Sequence, residues 1–270
     1  MGNLNAEGAR ITIGARTLLD DVNLEIRRGE VLAIVGPNGV GKTTLLRTLA
    51  GVLAPAGGRV TIEGIDLRER SRAELVRAIA LVSSDVELPH GMSVRDVVAT
   101  GRFAHRAWWD WSSGPDDDDA TAAAIARCDL GELAERPFDT LSSGERQRAW
   151  LAVGLAQGAN VLLLDEPTSH LDARYAVEML ALLRRIASEG RAVAAVLHDL
   201  NEAAAFADRI AVLGERSLIA CGPPALVLLS PALERAYGVP FERFERDGRV
   251  RVTVRGEDAL TAWRTEPIPR

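Results

Sequence analysis

Aromatic side chains are scarce, at 4% of 270 residues. Alanine, leucine and valine fill the gap, as suits helices packed on parallel strands. Only two cysteines occur. Cys128 and Cys221 lie far apart and share no metal-ligand spacing, so they read as buried or incidental thiols in a reducing compartment. Long apolar runs are missing too. "VLLL" at 161–164 and "AVAAVL" at 192–197 are strand-sized, whereas a helix needs about 20 apolar residues to cross a bilayer. A basic excess is also lacking: the net charge is −6 and the pI about 5.4. That argues against a dominant electrostatic grip on nucleic acid. The opening "MGNLNAEGAR" has no basic stretch followed by an apolar core, so we expect no signal peptide. The expected chain is cytosolic and meets a membrane only through a partner.

Residues 9–27 alternate loosely and read as antiparallel strands, pairing with "GRVTIEG" at 58–64. "EVLAIV" (30–35) is an unbroken apolar run entering a glycine-rich turn, the pattern of a buried central strand that feeds a helix. "NVLLLD" (160–165) and "AVAAVLH" (192–198) have the same character, with a helix between them over 173–189. "RIAVLG" and "SLIACG" read as a late strand pair. Between about 71 and 158 the pattern turns helical. Ser71 and Glu74 stand in capping-box spacing. "PDDDDATAAAIARC" puts four aspartates at a helix start, where they favour the helix dipole and read as solvated charges rather than metal ligands. "WWDW" (108–111) reads as either a packing seam or a partner-facing surface. Beyond residue 240 only a strand-like alternation at 249–254 stands out, and no role follows from it.

"GPNGVGKT", Gly36 to Thr43, matches the phosphate-binding loop and lies between a strand and a helix, the context that confirms such a motif. Its backbone N–H groups converge on phosphates. Lys42 reaches the β- and γ-phosphates, and Thr43 offers its hydroxyl to Mg²⁺. About 120 residues on, "VLLLDEP" ends a buried strand in Asp165 and Glu166. The first carboxylate suits a Mg²⁺ hydration shell and the second can polarise a water. His198 ends the next strand, where its ring can reach a γ-phosphate. In "LSSGERQRAW" (141–150), Ser142 and Glu145 form a second capping-box pattern. A capped helix tip is also an anion site, so cap and function coincide if it addresses a phosphate.

These motifs, in this order and with "SHLD" at 169–172, resemble the nucleotide-binding subunits of ATP-binding cassette (ABC) transporters over roughly residues 4–240. The resemblance implies an α/β fold: a P-loop NTPase core with a parallel-rich sheet, an antiparallel β subdomain and a helical signature subdomain inserted at about 84–158. The cassette would span 1–240, with a short tail at 241–270. It implies an ATPase using ATP and Mg²⁺ and working as a head-to-tail homodimer. Each ATP would lie between one copy's phosphate loop (Gly36, Pro37, Asn38, Gly39, Gly41, Lys42, Thr43 and Thr44) and the other's Ser142, Ser143, Gly144 and Glu145. Ser169 to Asp172 would cross between the two sites. Lys42, Glu166 and His198 would be catalytic. "VATGRFAHRAWW", "LAERPFDTLSSGERQRAWLAVGLAQ" and "VLHDLNEAAAFADRI" are similar to the subunits that power import of iron-siderophores, haem or cobalamin. Implied partners are membrane permease subunits and, indirectly, an external binding protein, with no nucleic acid. The implied location is the cytoplasmic face of the membrane.

Three positions depart from the family. Ser143 stands where a glycine is usual. That costs little if its φ is negative and of order 1 kcal/mol if positive. Ile13 stands where an aromatic usually stacks on adenine, with Arg16 as a substitute platform, so weak adenine–guanine discrimination is expected. Ser84 stands where a glutamine usually reaches Mg²⁺ and the nucleophilic water. Serine is two carbons shorter; a water can bridge the gap, or Asp85 contribute. With Lys42, Thr43, Asp165, Glu166 and His198 present, we read the site as modified rather than broken, and keep Ser84 among the residues near the metal. Three alternatives stay open: a cassette of DNA repair, chromosome or translation factors, an exporter or another importer class, and a regulatory subunit that binds nucleotide without turnover. The first is disfavoured by the acidic balance, the lack of a heptad insert and the lack of a tandem cassette.

Overall fold

The computed structural model describes residues 3–83, 90–105 and 114–255. Strands β1 (Leu4–Ile13) and β2 (Arg16–Ile26) pair antiparallel through the turn at Gly14, and the buried β3 (Val31–Val35) follows, leading to helix α1 (Lys42–Leu49). Next come β4 (Gly57–Ile62), the short β5 (Ile65–Asp66), α2 (Arg72–Ala78) and β6 (Ile79–Val82). The helical stretch contains α3 (Val94–Ala99), α4 (Pro115–Arg127) and α5 (Ser143–Ala156). Then β7 (Val161–Leu164), α6 (Ala173–Ser188), β8 (Ala192–Val196), α7 (Leu200–Phe206) and β9 (Arg209–Gly214) alternate. Last are β10 (Ser217–Gly222), α8 (Pro224–Leu229), α9 (Ala232–Tyr237), β11 (Phe241–Arg246) and β12 (Arg249–Val254).

Three sheets result among the described residues. The order β10-β9-β3-β8-β7-β6 forms a central sheet, parallel except for the β10 edge. The order β2-β1-β4-β5 forms an antiparallel sheet, and β11-β12 a hairpin. The central strands read as unbroken apolar runs because both faces are covered. Val31, Ala33 and Val35 pack into one core with α6 and the helices around α5; Leu32 and Ile34 face a second core with α1 and the antiparallel sheet. Alternation, the mark of a one-faced strand, is erased by that double burial.

Both expected capping boxes form. Ser71 caps α2 with Glu74, and Ser142 caps α5 with Glu145. A third, Ser93 with Asp96, starts α3. Two expectations need correction. The stretch after 71 is not helical throughout, because α2 stops at Ala78 and the chain goes directly into β6, which extends the central sheet beside β7. The aspartates of α4 are also not all solvated. Asp116, Asp118 and Asp119 are exposed. Asp117, however, receives the Arg102 guanidinium at 2.8 Å with both side chains only 13% exposed, and Arg102 also donates to the Ala156 carbonyl. This pair ties the segment before α4 to the end of α5. Ser84, Asp85 and the 108–111 tryptophans lie outside the described residues.

Candidate functional site

The phosphate-loop segment leaves β3 at Val35 and turns through glycines of positive φ, at Gly36 (153°), Gly39 (77°) and Gly41 (111°). A Cβ at Gly36 would come within 2.5 Å of the Leu213 carbonyl oxygen on the neighbouring β9, so the loop leaves the sheet at a point only glycine fits. Gly41 is the N-cap of α1 and offers no side-chain acceptor, and the first turn holds no acidic residue. The free N–H groups and the positive dipole end are therefore left for an anion. Lys42 is buried, and its Nζ donates to the carbonyls of Gly36 (2.8 Å) and Pro37 (3.1 Å), spanning the loop. Burial pushes its ammonium pKa down, against the opposing charges of Glu166 and Asp165.

The carboxylates reach the same place from the next strands. Asp165 follows β7; its N–H donates to the Val82 carbonyl at the end of β6, so β6 ends beside Asp165. Thr43 Oγ1 donates to Asp165 Oδ1 at 3.2 Å. Glu166 sits at φ +52°, a left-handed conformation unusual for glutamate and of the kind that collects at functional sites. Both its oxygens are engaged: Oε1 lies 2.7 Å from His198 Nε2, and Oε2 accepts from Ser169 Oγ at 2.8 Å. Burial alone would raise the Glu166 pKa. The hydrogen bonds from Ser169 and His198, with the charges of His198 and Lys42, reverse that and hold it below the ordinary range. His198 follows β8, where the Leu197 N–H donates to Ile34 of β3, setting the ring beside the loop.

A cleft of about 540 Å³ is lined by Asn38, Gly39, Gly41, Lys42, Thr43 and Thr44, by Glu166 and His198, and by Ile13, Arg16 and Leu18. Glu166 and His198, far along the chain from the loop, are thus drawn into one cavity with it. Pro37 lines an adjoining cavity of about 470 Å³, which shares Arg16, Asn38 and Gly39. Ile13 is 59% exposed, so its side chain is free to meet a ligand entering the cleft.

The other candidates lie elsewhere. Ser142, Ser143, Gly144, Glu145 and Asp172 line neither cavity. Ser142 accepts from the Glu145 N–H while Glu145 accepts from Ser142, which holds the Glu145 carboxyl below its ordinary range. Ser143 opens α5 and is absent from the positive-φ residues, so serine costs little there. Gly144 is buried, and a Cβ on it would sit 3.0 Å from Tyr175 of α6. Asp172 caps α6 by accepting from the Arg174 and Tyr175 N–H groups. Within one chain the signature tip and the phosphate cleft are therefore separate, so a cleft needing both would draw on a second copy. Two residues carry no local signature in the sequence: Asn201, whose side chain holds a C-terminal strand beside α7, and Tyr237, buried against Gly36.

Comparison with known proteins agrees with this geometry. The family described as ABC transporter matches residues 19–169, more than half of the chain. A hemin import ATP-binding protein of Rhodococcus jostii is 43% identical over 245 residues, covering 90% of this chain and 82% of the relative. The ferric enterobactin transport ATP-binding protein of Escherichia coli is 37% identical over 241 residues, covering 88% of each. Among solved structures, a metal-chelate type ABC transporter in an inward-facing conformation superposes with a TM-score of 0.81 at 26% identity, over 94% of this chain and 97% of that one. A dimeric ATP-binding cassette in a post-hydrolysis state, bound to ADP and Pi, gives 0.69 at 26% identity, over 82% and 98%. The chain belongs to the ABC transporter family, as an ATP-binding cassette.

Proposed function

We propose that this chain is the ATP-hydrolysing subunit of an importer for an iron chelate such as a siderophore or haem. One observation carries the hydrolytic half: Glu166, ionised and hydrogen-bonded to His198, lies in one cleft with Lys42 and Thr43. The hemin and enterobactin relatives support the importer half. Among the described residues no helix is long and apolar enough to cross a membrane, so a permease partner would supply the path. Docked on it, the chain would work at the cytoplasmic face.

The residues fit Mg²⁺. A hydroxyl and a carboxylate converge at Thr43 and Asp165, the hard oxygen donors this cation takes beside substrate phosphates. When bound, it would neutralise phosphate charge. The chain's own groups would do the rest. Lys42 exchanges the Gly36 and Pro37 carbonyls for phosphate oxygens, and the loop and α1 N–H groups hold the phosphates in place. His198 leaves Glu166 for the γ-phosphate. That frees Oε1 to accept a hydrogen bond from a water while Ser169 keeps Oε2 fixed, so Glu166 orients the water for in-line attack. Ser142 and the α5 tip of a second copy close over the nucleotide, and hydrolysis releases them.

The test is dimer formation by the Glu166→Gln chain, measured by light scattering. MgATP should produce a dimer and MgADP a monomer. A mass insensitive to nucleotide would remove the shared-site mechanism.

A further inference from the structure

The hairpin β11–β12 keeps continuous register from Phe241↔Val254 to Arg246↔Arg249, and it is anchored at two places. The first is Asn201, in the opening turn of α7 and three residues after His198. Its Nδ2 donates to the Val252 carbonyl and its Oδ1 accepts from the Val252 N–H, both at 3.0 Å. One side chain thus supplies both halves of a strand pairing, and Arg251 adds a bond to the Asn201 carbonyl at 3.3 Å. The second anchor is Arg243. It makes a forked pair with Glu234 of α9 at 2.6 and 2.9 Å, and donates to the carbonyls of Leu228 and Ser230. α9 ends at Tyr237, whose ring stands edge-on to Phe241. The Tyr237 hydroxyl is buried against the Gly36 backbone without a hydrogen bond of ordinary geometry. The hairpin therefore touches both the helix that follows His198 and the helix lying against the phosphate loop.

α7 has seven residues, too few for its own hydrogen bonds to fix where its first turn sits. External restraints decide it. Asp199 caps the turn by accepting from the Asn201 and Glu202 N–H groups, and Asn201 is clamped by Val252. Phe241 and Val252 are already buried in the core, so the hairpin has an apolar anchorage that does not need the Asn201 amide. The amide instead fixes the first turn of α7, which begins two residues after His198.

We propose that Asn201, clamped by the C-terminal hairpin, is a positioning residue that acts through His198 on the Glu166–His198 pair. This rests on the ATPase reading. A misplaced reacting group of about 1 Å costs up to about 100-fold in rate. Asn201→Ala should therefore lower kcat by about 10- to 100-fold with KM for ATP nearly unchanged. In a His198→Ala background the same change should do nothing further, since its route is already cut. Arg243→Gln, which loosens the other anchor, should act in the same direction. An unaltered kcat, or an equal loss with and without His198, overturns the proposal. A second readout does not need turnover. In the Glu166→Gln chain, MgATP should slow amide exchange at 249–254, and Asn201→Ala should abolish that protection. A wild-type chain without turnover whose hairpin is still protected would remove the ATPase reading and support the coupling. Exchange at 249–254 indifferent to MgATP would overturn the coupling.

Discussion

Two glycines of the phosphate loop separate backbone strain from steric exclusion. Gly36 and Gly39 both have positive φ, but a Cβ at Gly39 meets nothing within 4 Å, whereas one at Gly36 meets the Leu213 carbonyl oxygen at 2.5 Å and its carbon at 3.3 Å. Gly39→Ala should therefore cost only the strain of an alanine there, about 1–2 kcal/mol. Gly36→Ala carries comparable or larger strain. It must also push β3 away from β9 inside a sheet buried on both faces, and overpacking of a tight core adds about 1–3 kcal/mol. The expected total is about 2–6 kcal/mol for Gly36→Ala, a large share of a typical domain's stability of about 5–15 kcal/mol. Urea unfolding followed by far-UV circular dichroism gives both values from midpoints and slopes. Equal destabilisation of the two variants would refute the argument, because it would mean the sheet yields at Gly36.

Other perturbations address single residues. Ile13→Tyr should tighten ATP by up to about 1–3 kcal/mol and sharpen selectivity over GTP; competition binding reads this, and strong adenine selectivity in the wild type would contradict the role given to Ile13. Ser142→Asp keeps a good N-cap, so stability should stay within about 0.5 kcal/mol. Its carboxylate would repel phosphate, so the MgATP-driven dimer should be lost; a retained dimer would detach Ser142 from the nucleotide. Asp117→Asn should cost about 1.5–3 kcal/mol because it breaks a largely buried charged hydrogen bond, while the exposed Asp118→Asn should stay within about 0.5 kcal/mol. Equal thermal midpoints for these two would show that the Arg102 pair does not hold the helical lobe.

The parts of the site legible in the sequence were those written in short local patterns. The spacing from Gly36 to Thr43 names a loop, because each glycine answers a local backbone need. Runs such as "VLLL" name buried strands, because double burial removes alternation. Contacts across the chain were less legible. β6 was hidden because Ile79–Val82 continues from α2 with no glycine or proline between them. β11 was hidden because Phe241 is buried and Phe244 exposed, so its two aromatics face opposite sides and no apolar alternation shows. The left-handed backbone of Glu166 has no residue signature, since glutamate usually avoids it. Asp117 looked like its neighbours until the fold brought Arg102 to it.

The central claim is that Glu166, held by Ser169 and released by His198 when ATP binds, supports hydrolysis in a chain that has Ser84 and Ile13. It is tested most directly by phosphate release from MgATP at high protein concentration, with Glu166→Gln as the blank. Turnover well above the blank is expected. Release no faster than the blank, in a chain that still binds MgATP and still dimerises, would contradict it.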